Sequence, residues 1–341
     1  MGKDIDSSLD RARGALLGAA VGDSMGAPCE GMSAEEIRAT YGRITGFLRP
    51  ESAGTDDTDF TLFNAYLLAQ YGESISVEDV ENEWRDKLLS GTHYYRPGGF
   101  SDVLATNNLR EGMSAPLSGR FNHQMWSDGV AMSVAGVGVF AAGRPELAAS
   151  LVETLGAVSN GRDGIYTGQA VAAAISLGME GASPREMVDV ARSVIPQDSW
   201  TARALSRACA LASAFQKAPT AVQAPTEDEE AKLAAAIERD LVLSWWPWAD
   251  LSTEAVPVAF AFFLAYQGEF QRVVPASIAI GRDADTIGAI VGSLAGSHVG
   301  ASKIPAEWRE RVKVSQGKSI GFISNKSIAA MAEDLVRKGE A

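Results

Sequence analysis

The amino-acid sequence predicts an all-α protein. Helix start signals recur along the 341 residues, and the clearest are capping boxes, in which a serine or threonine and an acid three residues later satisfy each other's backbone amides. Capping boxes occur at Ser33 and Glu36, at Ser183 and Glu186, and at Thr226 and Glu229. Apolar residues at helical spacing follow each box, whereas runs that alternate with period two are scarce. We expect one compact multi-helix domain over residues 10–335.

Composition restricts the classes of function. Apolar residues make up 46% of the chain, which is enough for a large buried core. A formal net charge of −13 argues against a nucleic-acid-binding patch and against a membrane-binding face, since both are normally basic. Cys29 and Cys209 have no disulfide or metal-ligand pattern, and neither a signal peptide nor a bilayer-spanning stretch is recognisable. These features predict a cytoplasmic protein.

Two segments carry a glycine at every fourth position. The glycines stand at 14, 18, 22 and 26 near the N-terminus, and at 288, 292, 296 and 300 in "GRDADTIGAIVGSLAGSHVG". Residues four apart share one face of a helix, so each segment presents a stripe without side chains. Each glycine costs roughly 1 kcal/mol of helix propensity, and close approach of two backbones offsets that cost. We therefore expect these two helices to pack directly against each other.

Two stretches interrupt the helical pattern. Residues 216–230, "QKAPTAVQAPTEDEE", combine proline, alanine and acids, which predicts an exposed loop within the domain. Residues 90–129 are rich in glycine, proline, asparagine and serine, which predicts a long loop. Loops of that length are commonly functional.

Two clusters of acids stand where helices begin. They comprise Thr55, Asp56 and Asp57 in "TDDTDFTL", and Asp283, Asp285 and Thr286 in "GRDADT". Helix capping explains one acid at either place, because a carboxylate near a helix N-terminus contributes about 0.3–1 kcal/mol. Capping needs one or two acceptors, and additional neighbouring carboxylates repel each other unless a cation neutralises them. From the residues alone, capping and metal binding remain equally open.

Oxygen ligands without cysteine or histidine favour a hard cation such as Mg²⁺, Mn²⁺ or Ca²⁺ over zinc. If the two clusters converge, their six oxygen donors suffice for a pair of ions. All-α terpenoid synthases also hold Mg²⁺ on neighbouring aspartates, but in "DDTDF" the third aspartate is one residue out of place. In "GDSMGAPCE", Glu30 is either an acid or base beside such ions or a surface residue, and Asp23 is a candidate backbone acceptor.

Four motifs, taken together, resemble the ADP-ribosylglycohydrolases, also called ADP-ribosyl-acceptor hydrolases, which include dinitrogenase reductase-activating glycohydrolase. The motifs are "RGALLGAAVGDSMGAPCE", "TDDTDFTL", "SDGVAMSVAGVGVF" and "GRDADTIGAIVGSLAGSHVGASKIPAEW", within residues 12–312. Each is short, but four in the right order and spacing are hard to produce by chance. The resemblance implies an all-α fold with a binuclear centre of two Mg²⁺ or Mn²⁺ ions at helix N-termini.

The resemblance also implies roles for individual residues. The metal ligands would be Thr55, Asp56, Asp57, Asp283, Asp285 and Thr286. Glu30 would perform general acid and base catalysis, with Asp283 as the alternative base. The ions would orient the ribose hydroxyls and lower the pKa of a water, and carboxylates would stabilise an oxocarbenium-like state. The substrate-binding residues would be Ser127, Asp128, Gly129, Met132, Asn160, Tyr166 and Gly168, the first three through backbone N–H groups that hold the ADP part.

This chain departs from the family pattern at four positions. Asp128 stands where the family often has asparagine, Ser133 where it often has arginine, Asn160 where a Ser-His or Thr-His pair is common, and Arg282 where glycine is frequent. An acid at 128 is unfavourable beside a diphosphate, and a serine at 133 removes a charge-assisted partner. Arg282 or Arg162 would have to compensate for the lost charge.

The function that the resemblance implies is metal-dependent hydrolysis at C1″ of an ADP-ribosyl or related ribosyl group, which releases ADP-ribose from a modified protein or a small molecule. One alternative is an N-glycosidase that acts on a small nucleoside or nucleotide. The other is a non-catalytic family member that is structural or binds ADP-ribose. Two intact acidic clusters favour the enzyme, because a structural role would not require both.

Overall fold

Helices follow one another along the described chain. The computed structural model describes residues 5–216, 226–244 and 246–340, apart from the side chain of Ile5. Over these residues it contains α-helices, a π-helix, short 3-10 turns and only isolated β-bridges. In chain order the α-helices are α1 (Ile5–Gly26), α2 (Ala34–Tyr41), α3 (Asp56–Tyr71), α4 (Val77–Glu83), α5 (Phe100–Arg110), α6 (Leu117–Arg120), α7 (Gly129–Met132), α8 (Ala135–Phe140), α9 (Pro145–Gly156), α10 (Asp163–Gly178), α11 (Pro184–Ser193), α12 (Trp200–Gln216), α13 (Glu227–Leu241), α14 (Ser252–Ala265), α15 (Phe270–Ile278), α16 (Ala284–Val299), α17 (Ala306–Val312) and α18 (Ile328–Gly339). The all-α prediction is confirmed.

Local sequence signals account for several helix starts. The three capping boxes are present, with the side chains of Ser33, Ser183 and Thr226 each accepting from the backbone amide three residues later. The π-helix Trp84–Leu89 extends α4. None of the described helices combines the length and the apolar character that a bilayer crossing requires.

Helices α1 and α16 form the antiparallel centre of the fold. Gly14 faces Gly296, Gly18 faces Gly292 and Gly22 faces Gly288. A methyl group on Gly288 would lie only 2.6 Å from the carbonyl oxygen of Gly22, so no larger residue fits without separating the backbones. The predicted contact between the two glycine-striped helices is confirmed. Its register brings the C-terminal end of α1 to the N-terminal end of α16.

Apolar helices surround this central pair. Every residue of α14 except Thr253 is buried, as is α16 from its first residue to Ser297. Helix α10 contributes a further buried run from Thr167 to Ser176. Burial on all sides fixes the helix ends in space, because a close-packed core does not deform continuously.

The predictions for the two interrupted stretches are partly wrong. Helices α5 and α6 lie within residues 90–129, and α5 begins after Gly99 without a side-chain cap, so no capping residue signals its start. Within the range 216–230, residues 217–225 lie outside the described part of the chain. Residues 227–230 already belong to α13, because the box at Thr226 starts the helix and acids are stabilising in its first turn.

Candidate metal centre

A small cavity of about 70 Å³ lies where α3, α5, α7 and α16 begin. Its lining consists of Glu30, Asp56, Asp57, Gly98, Gly99, Ser101, Asp102, Ser127, Asp128, Gly129, Met132, Asp250, Asp283, Asp285 and Thr286. Eight of these side chains are carboxylic acids, and no lysine, arginine or histidine of the described chain is among them. The two predicted acidic clusters therefore meet in one place.

Helix α3 supplies the first side of the cavity. The Thr55 side chain accepts from the Asp57 amide at 3.3 Å and donates to Asp57 Oδ2 at 3.1 Å, so Thr55 caps the helix and does not line the cavity. Asp57 is buried, and its Oδ1 has no hydrogen-bond partner among the described residues. Capping thus explains Thr55, but it leaves the buried carboxylate oxygen of Asp57 unaccounted for.

Helix α16 supplies the opposite side. Asp283 occupies the N-cap position, but its side chain makes no capping hydrogen bond. Asp285 is 3% exposed, and its Oδ1 has no partner among the described residues. Helix capping is therefore the wrong explanation for this pair of acids. Leaving a buried charged oxygen unpaired costs several kcal/mol, so this oxygen is suited to a ligand.

Asp23, near the end of α1, lies close to both sides and bonds to the α3 side. Oxygens of Asp23, Asp57 and Asp285 lie within 4.8 Å of one another. Asp23 also accepts hydrogen bonds from the Thr55 amide at 2.8 Å, from the Thr58 amide at 3.0 Å and from the Thr58 hydroxyl. Because these donors already use its oxygens, we assign Asp23 to the support of the α3 start, as the backbone-acceptor interpretation expected.

Asp59 is a buried carboxylate of the same helix that, unlike Asp57, has backbone hydrogen-bond donors as partners. Its Oδ2 accepts from the amides of Ser319 at 2.8 Å and Ile320 at 3.0 Å, and it does not line the cavity. This geometry removes the third aspartate from the first cluster. The comparison with terpenoid synthases therefore has no support in the structure.

The electrostatics of the metal-free cavity favour protonated acids. Burial raises the pKa of Asp283 to about 7 and that of Asp102 to about 8. Burial also raises the pKa of Asp57 and Asp285 well above the ordinary aspartate value, and the charges of neighbouring aspartates raise both further. Clustered carboxylates with raised pKa values bind cations in competition with protons.

Glu30 lies at the rim, four residues beyond the end of α1. Its side chain is exposed along one side, yet the surrounding protein desolvates the carboxylate enough to raise its pKa, and the charge of Asp56 raises it further. A glutamate with a raised pKa is suited to donate and accept a proton near neutral pH.

The predicted substrate-binding residues divide into two groups. Ser127, Asp128, Gly129 and Met132 line the cavity, whereas Asn160, Tyr166 and Gly168 do not. Asn160 is buried behind the lining and donates to the Ser127 carbonyl at 3.1 Å. A methyl group on Gly168 would lie 2.6 Å from Val130, which indicates a packing role for this glycine.

Sequence reasoning missed five lining residues. Asp102 and Asp250 add carboxylates from chain segments far apart, Ser101 precedes Asp102 in α5, and Gly98 and Gly99 lie before that helix, where a side chain at 98 would collide with the Asp56 carboxylate. The adjacent glycines were the one local signal for this close approach. Asp250 lies at the cavity because its neighbour Leu251 pairs with Ser127. No local sequence pattern predicts this long-range pairing.

Arg282 does not replace the missing arginine at position 133. Its guanidinium binds Glu254 and the Trp248 carbonyl, and it does not line the cavity. Arg162 is exposed and is also absent from the lining. Ser133 is buried and bonds to Val130 and Asn64. The expected compensation by Arg282 or Arg162 is therefore absent from the described cavity.

Cavity size alone does not identify the site. Larger clefts of about 580 and 490 Å³ lie beside α18 and between α2 and α13. Their acids are few or are paired with arginines such as Arg43. The small cavity is distinguished by its unpartnered buried oxygens, and its oxygen-only donors fit hard divalent cations.

Comparisons with known proteins identify the family of the chain. The sequence matches the ADP-ribosylglycohydrolase family over residues 4–341. An uncharacterized protein of Archaeoglobus fulgidus is 29% identical over 319 residues, which cover 89% of this chain and 92% of that protein. A solved structure described as an ADP-ribosylglycohydrolase-related protein complex shares the fold, with a TM-score of 0.65, 22% identity and coverage of 98% of this chain and 99% of that one. With a family match over nearly its whole length, the chain belongs to the ADP-ribosylglycohydrolase family, a family of hydrolases.

Proposed function

We propose that the chain hydrolyses the bond between C1″ of an ADP-ribosyl group and its acceptor, with two Mg²⁺ or Mn²⁺ ions in the acidic cavity. The observation that carries this proposal is the set of eight carboxylic acids around one cavity, with unpartnered oxygens on the buried Asp57 and Asp285. Family membership supplies the reaction type, and the cavity supplies a place for the cations and the ribose.

The proposed cation ligands are those that line the cavity on α3 and α16, namely Asp56, Asp57, Asp283, Asp285 and Thr286, with the Thr55 hydroxyl behind Asp57. When bound, the ions would supply positive charge that orients the ribose hydroxyls and favours ionisation of the attacking water. Asp23 would keep the α3 ligands in place through Thr55 and Thr58.

The reaction consumes one water. The C1″–acceptor bond breaks, a C1″–OH bond forms, and one proton passes from the water side to the leaving group. Glu30 is the proposed acid and base, because it lies at the open rim with a raised pKa. Asp283 is the alternative base, and burial raises its pKa to about 7. The remaining carboxylates stabilise positive charge that develops on the ribose ring.

The amide of Gly129 at the start of α7 is proposed to hold the ADP part, since the amides of Ser127 and Asp128, which the resemblance also assigned to it, already donate to the carbonyls of Gln124 and Asp250. Ser127 and Gly129 line the cavity there, and Asn160 fixes the loop from behind through the Ser127 carbonyl. Amides at a helix start are natural partners for phosphate oxygens. Met132 would provide an apolar surface beside Thr286, whose hydroxyl lies 3.8 Å from its sulfur.

The direct test is release of ADP-ribose from arginine-modified and serine-modified proteins, with Mn²⁺ or Mg²⁺ and with EDTA. The proposal predicts release that depends on the metal and is lost in Glu30→Gln. Absence of release from both substrates with either metal would contradict it.

A second candidate is an N-glycosidase for a small ribosyl compound with little negative charge. The specific observation that favours it is Asp128, a buried acid with an unpartnered Oδ2 at the place proposed for a diphosphate. Assays with nucleosides and with ADP-ribosyl compounds side by side would decide between the two candidates, since only the second predicts faster hydrolysis of the nucleosides.

A further inference from the structure

Helix α14 contains one acid within an otherwise apolar core segment. Glu254 has no exposed surface, and Arg282 is its partner. Arg282 Nε donates to Glu254 Oε1 at 2.7 Å and Nη2 donates to Oε2 at 3.2 Å, which makes the contact bidentate. A buried pair of this kind offsets its desolvation only when its geometry is good and further hydrogen bonds satisfy both groups.

The backbone of Arg282 connects the pair to the loop that carries Glu30. The Arg282 amide donates to the Met32 carbonyl at 2.8 Å, and the Gly31 amide donates to the Arg282 carbonyl at 2.8 Å. Arg282 has a φ of 59°, in the left-handed region where glycine is favoured. This conformation places the next residue, Asp283, at the start of α16.

The side chains of the pair connect to a third segment, residues 243–250. Glu254 Oε2 accepts from the Leu243 amide at 2.7 Å, and Arg282 Nη2 donates to the Trp248 carbonyl at 3.0 Å. Asp250 follows two residues later and lines the cavity; burial raises its pKa, and the charge of Arg282 opposes that rise. The side chains of the pair thus contact the segment that carries Asp250, while the backbone of Arg282 bonds to the loop that carries Glu30 and leads directly into Asp283.

We propose that Arg282 and Glu254 form a positioning pair, which holds Glu30, Asp283 and Asp250 at the cavity against their mutual repulsion. Carboxylates of like charge move apart unless their chain segments are tied together, and the bound cations require them at fixed places. A lysine cannot reproduce the fork of bonds from Arg282, since it offers one point charge. The kinetic part of this inference rests on the proposed function, whereas the metal-binding part does not.

The test compares Glu254→Gln and Arg282→Lys with a matched pair elsewhere. The control is Arg13→Lys and Glu333→Gln, which alter an ion pair between α1 and α18 in which Arg13 Nε and Nη2 lie 3.0 and 2.9 Å from Glu333 Oε1. Each variant is freed of metal, checked for folding by circular dichroism, and titrated with Mn²⁺. We expect both site variants to bind Mn²⁺ about tenfold more weakly or worse, and both control variants to bind like the wild type.

Further readouts separate positioning from plain stabilisation. Tryptophan fluorescence should change in Arg282→Lys, because the Trp248 carbonyl loses its hydrogen bond from the guanidinium, and kcat should fall more than KM rises in both site variants. Folded site variants with wild-type Mn²⁺ affinity would overturn the inference. If Arg282→Lys does not fold, Glu254→Gln, which retains the Trp248 contact, decides. If the variants bind Mn²⁺ as predicted but even the wild type releases no ADP-ribose, the proposed function fails and the inference about the positioning pair stands.

Discussion

The glycine-lined contact between α1 and α16 and the acidic cavity at its end are built in opposite ways. Along the contact, backbones touch and side chains are absent, so no space is left between Gly22 and Gly288. In the cavity a few residues further on, side chains crowd together, and one oxygen each of Asp57 and Asp285 has no hydrogen-bond partner in the described part of the chain. The close helix contact stabilises the folded state, whereas the clustered carboxylates of the cavity destabilise it unless a ligand binds. The rigid contact holds these carboxylates together despite their repulsion.

The largest effect should come from filling the helix contact. Gly22→Ala would place a methyl group against the Gly288 carbonyl and push the central helices apart. We expect a loss of about 3 kcal/mol in the free energy of unfolding, or failure to fold. Gly46→Ala is the control, because its methyl group would meet only Trp308 at 3.6 Å. Chemical denaturation measures both variants, and equal stability would show that the contact is loose.

Removing an unpartnered acid should have the opposite effect on the metal-free protein. Asp285→Asn relieves repulsion from Asp57 and Asp283, so its melting temperature in EDTA should exceed that of the wild type at pH 7.5. Added Mn²⁺ should stabilise the wild type and leave this variant unchanged.

Asp59→Asn is the matched control on α3. It weakens two backbone hydrogen bonds, so it should lose about 2 kcal/mol and keep the full response to Mn²⁺. If Asp285→Asn unfolds instead, the capping interpretation of that residue is restored.

The pH dependence follows from the raised pKa values. Asp283 and Asp23 have pKa values of about 7 in the folded metal-free protein, against about 3.9 when unfolded. The contribution of these groups to stability is fully present below about pH 4 and is lost as pH rises through about 7. The metal-free melting temperature should therefore fall between about pH 4 and pH 7. Calorimetry with saturating Mn²⁺ should show a smaller fall, and an unchanged fall would contradict cation binding by Asp283.

The smallest effect concerns Asp128. Asp128→Asn restores the residue that the family often has, and it removes an acid that can ionise from the place proposed for the diphosphate. If ADP-ribosyl compounds are the substrates, KM should fall by about fivefold, the effect of roughly 1 kcal/mol. Steady-state kinetics on one substrate decides this, and an increase in KM would point to a cationic or neutral substrate instead.

The sequence was sufficient to predict the helix contact and most of the cavity, for physical reasons. The glycines of α1 and α16 repeat at the helical period, so the sequence of each helix alone identifies the face that carries no side chains. The acids at 56, 57, 283 and 285 adjoin helix starts, and the chain order of four motifs carries the family resemblance. These signals are local in the sequence, and the structure contains the features that they predict.

The remaining features depend on distant pairings. Asp102 and Asp250 reach the cavity from α5 and from the segment before α14, which no local spacing connects. Arg282 was expected to face an anionic substrate, but it turns to Glu254 because a buried acid in an apolar helix requires a cation. The single acid in "STEAVPVAFAFFLA" was the available sign of that partner.

The most direct test of the central claim counts the Mn²⁺ ions bound by the metal-free protein, by titration calorimetry with metal analysis after dialysis. The proposed centre predicts two ions for the wild type and a loss of at least one in Asp285→Asn, with Asp59→Asn unchanged. Binding of no ion by the folded wild type, or equal binding by Asp285→Asn, would contradict a metal centre in this cavity.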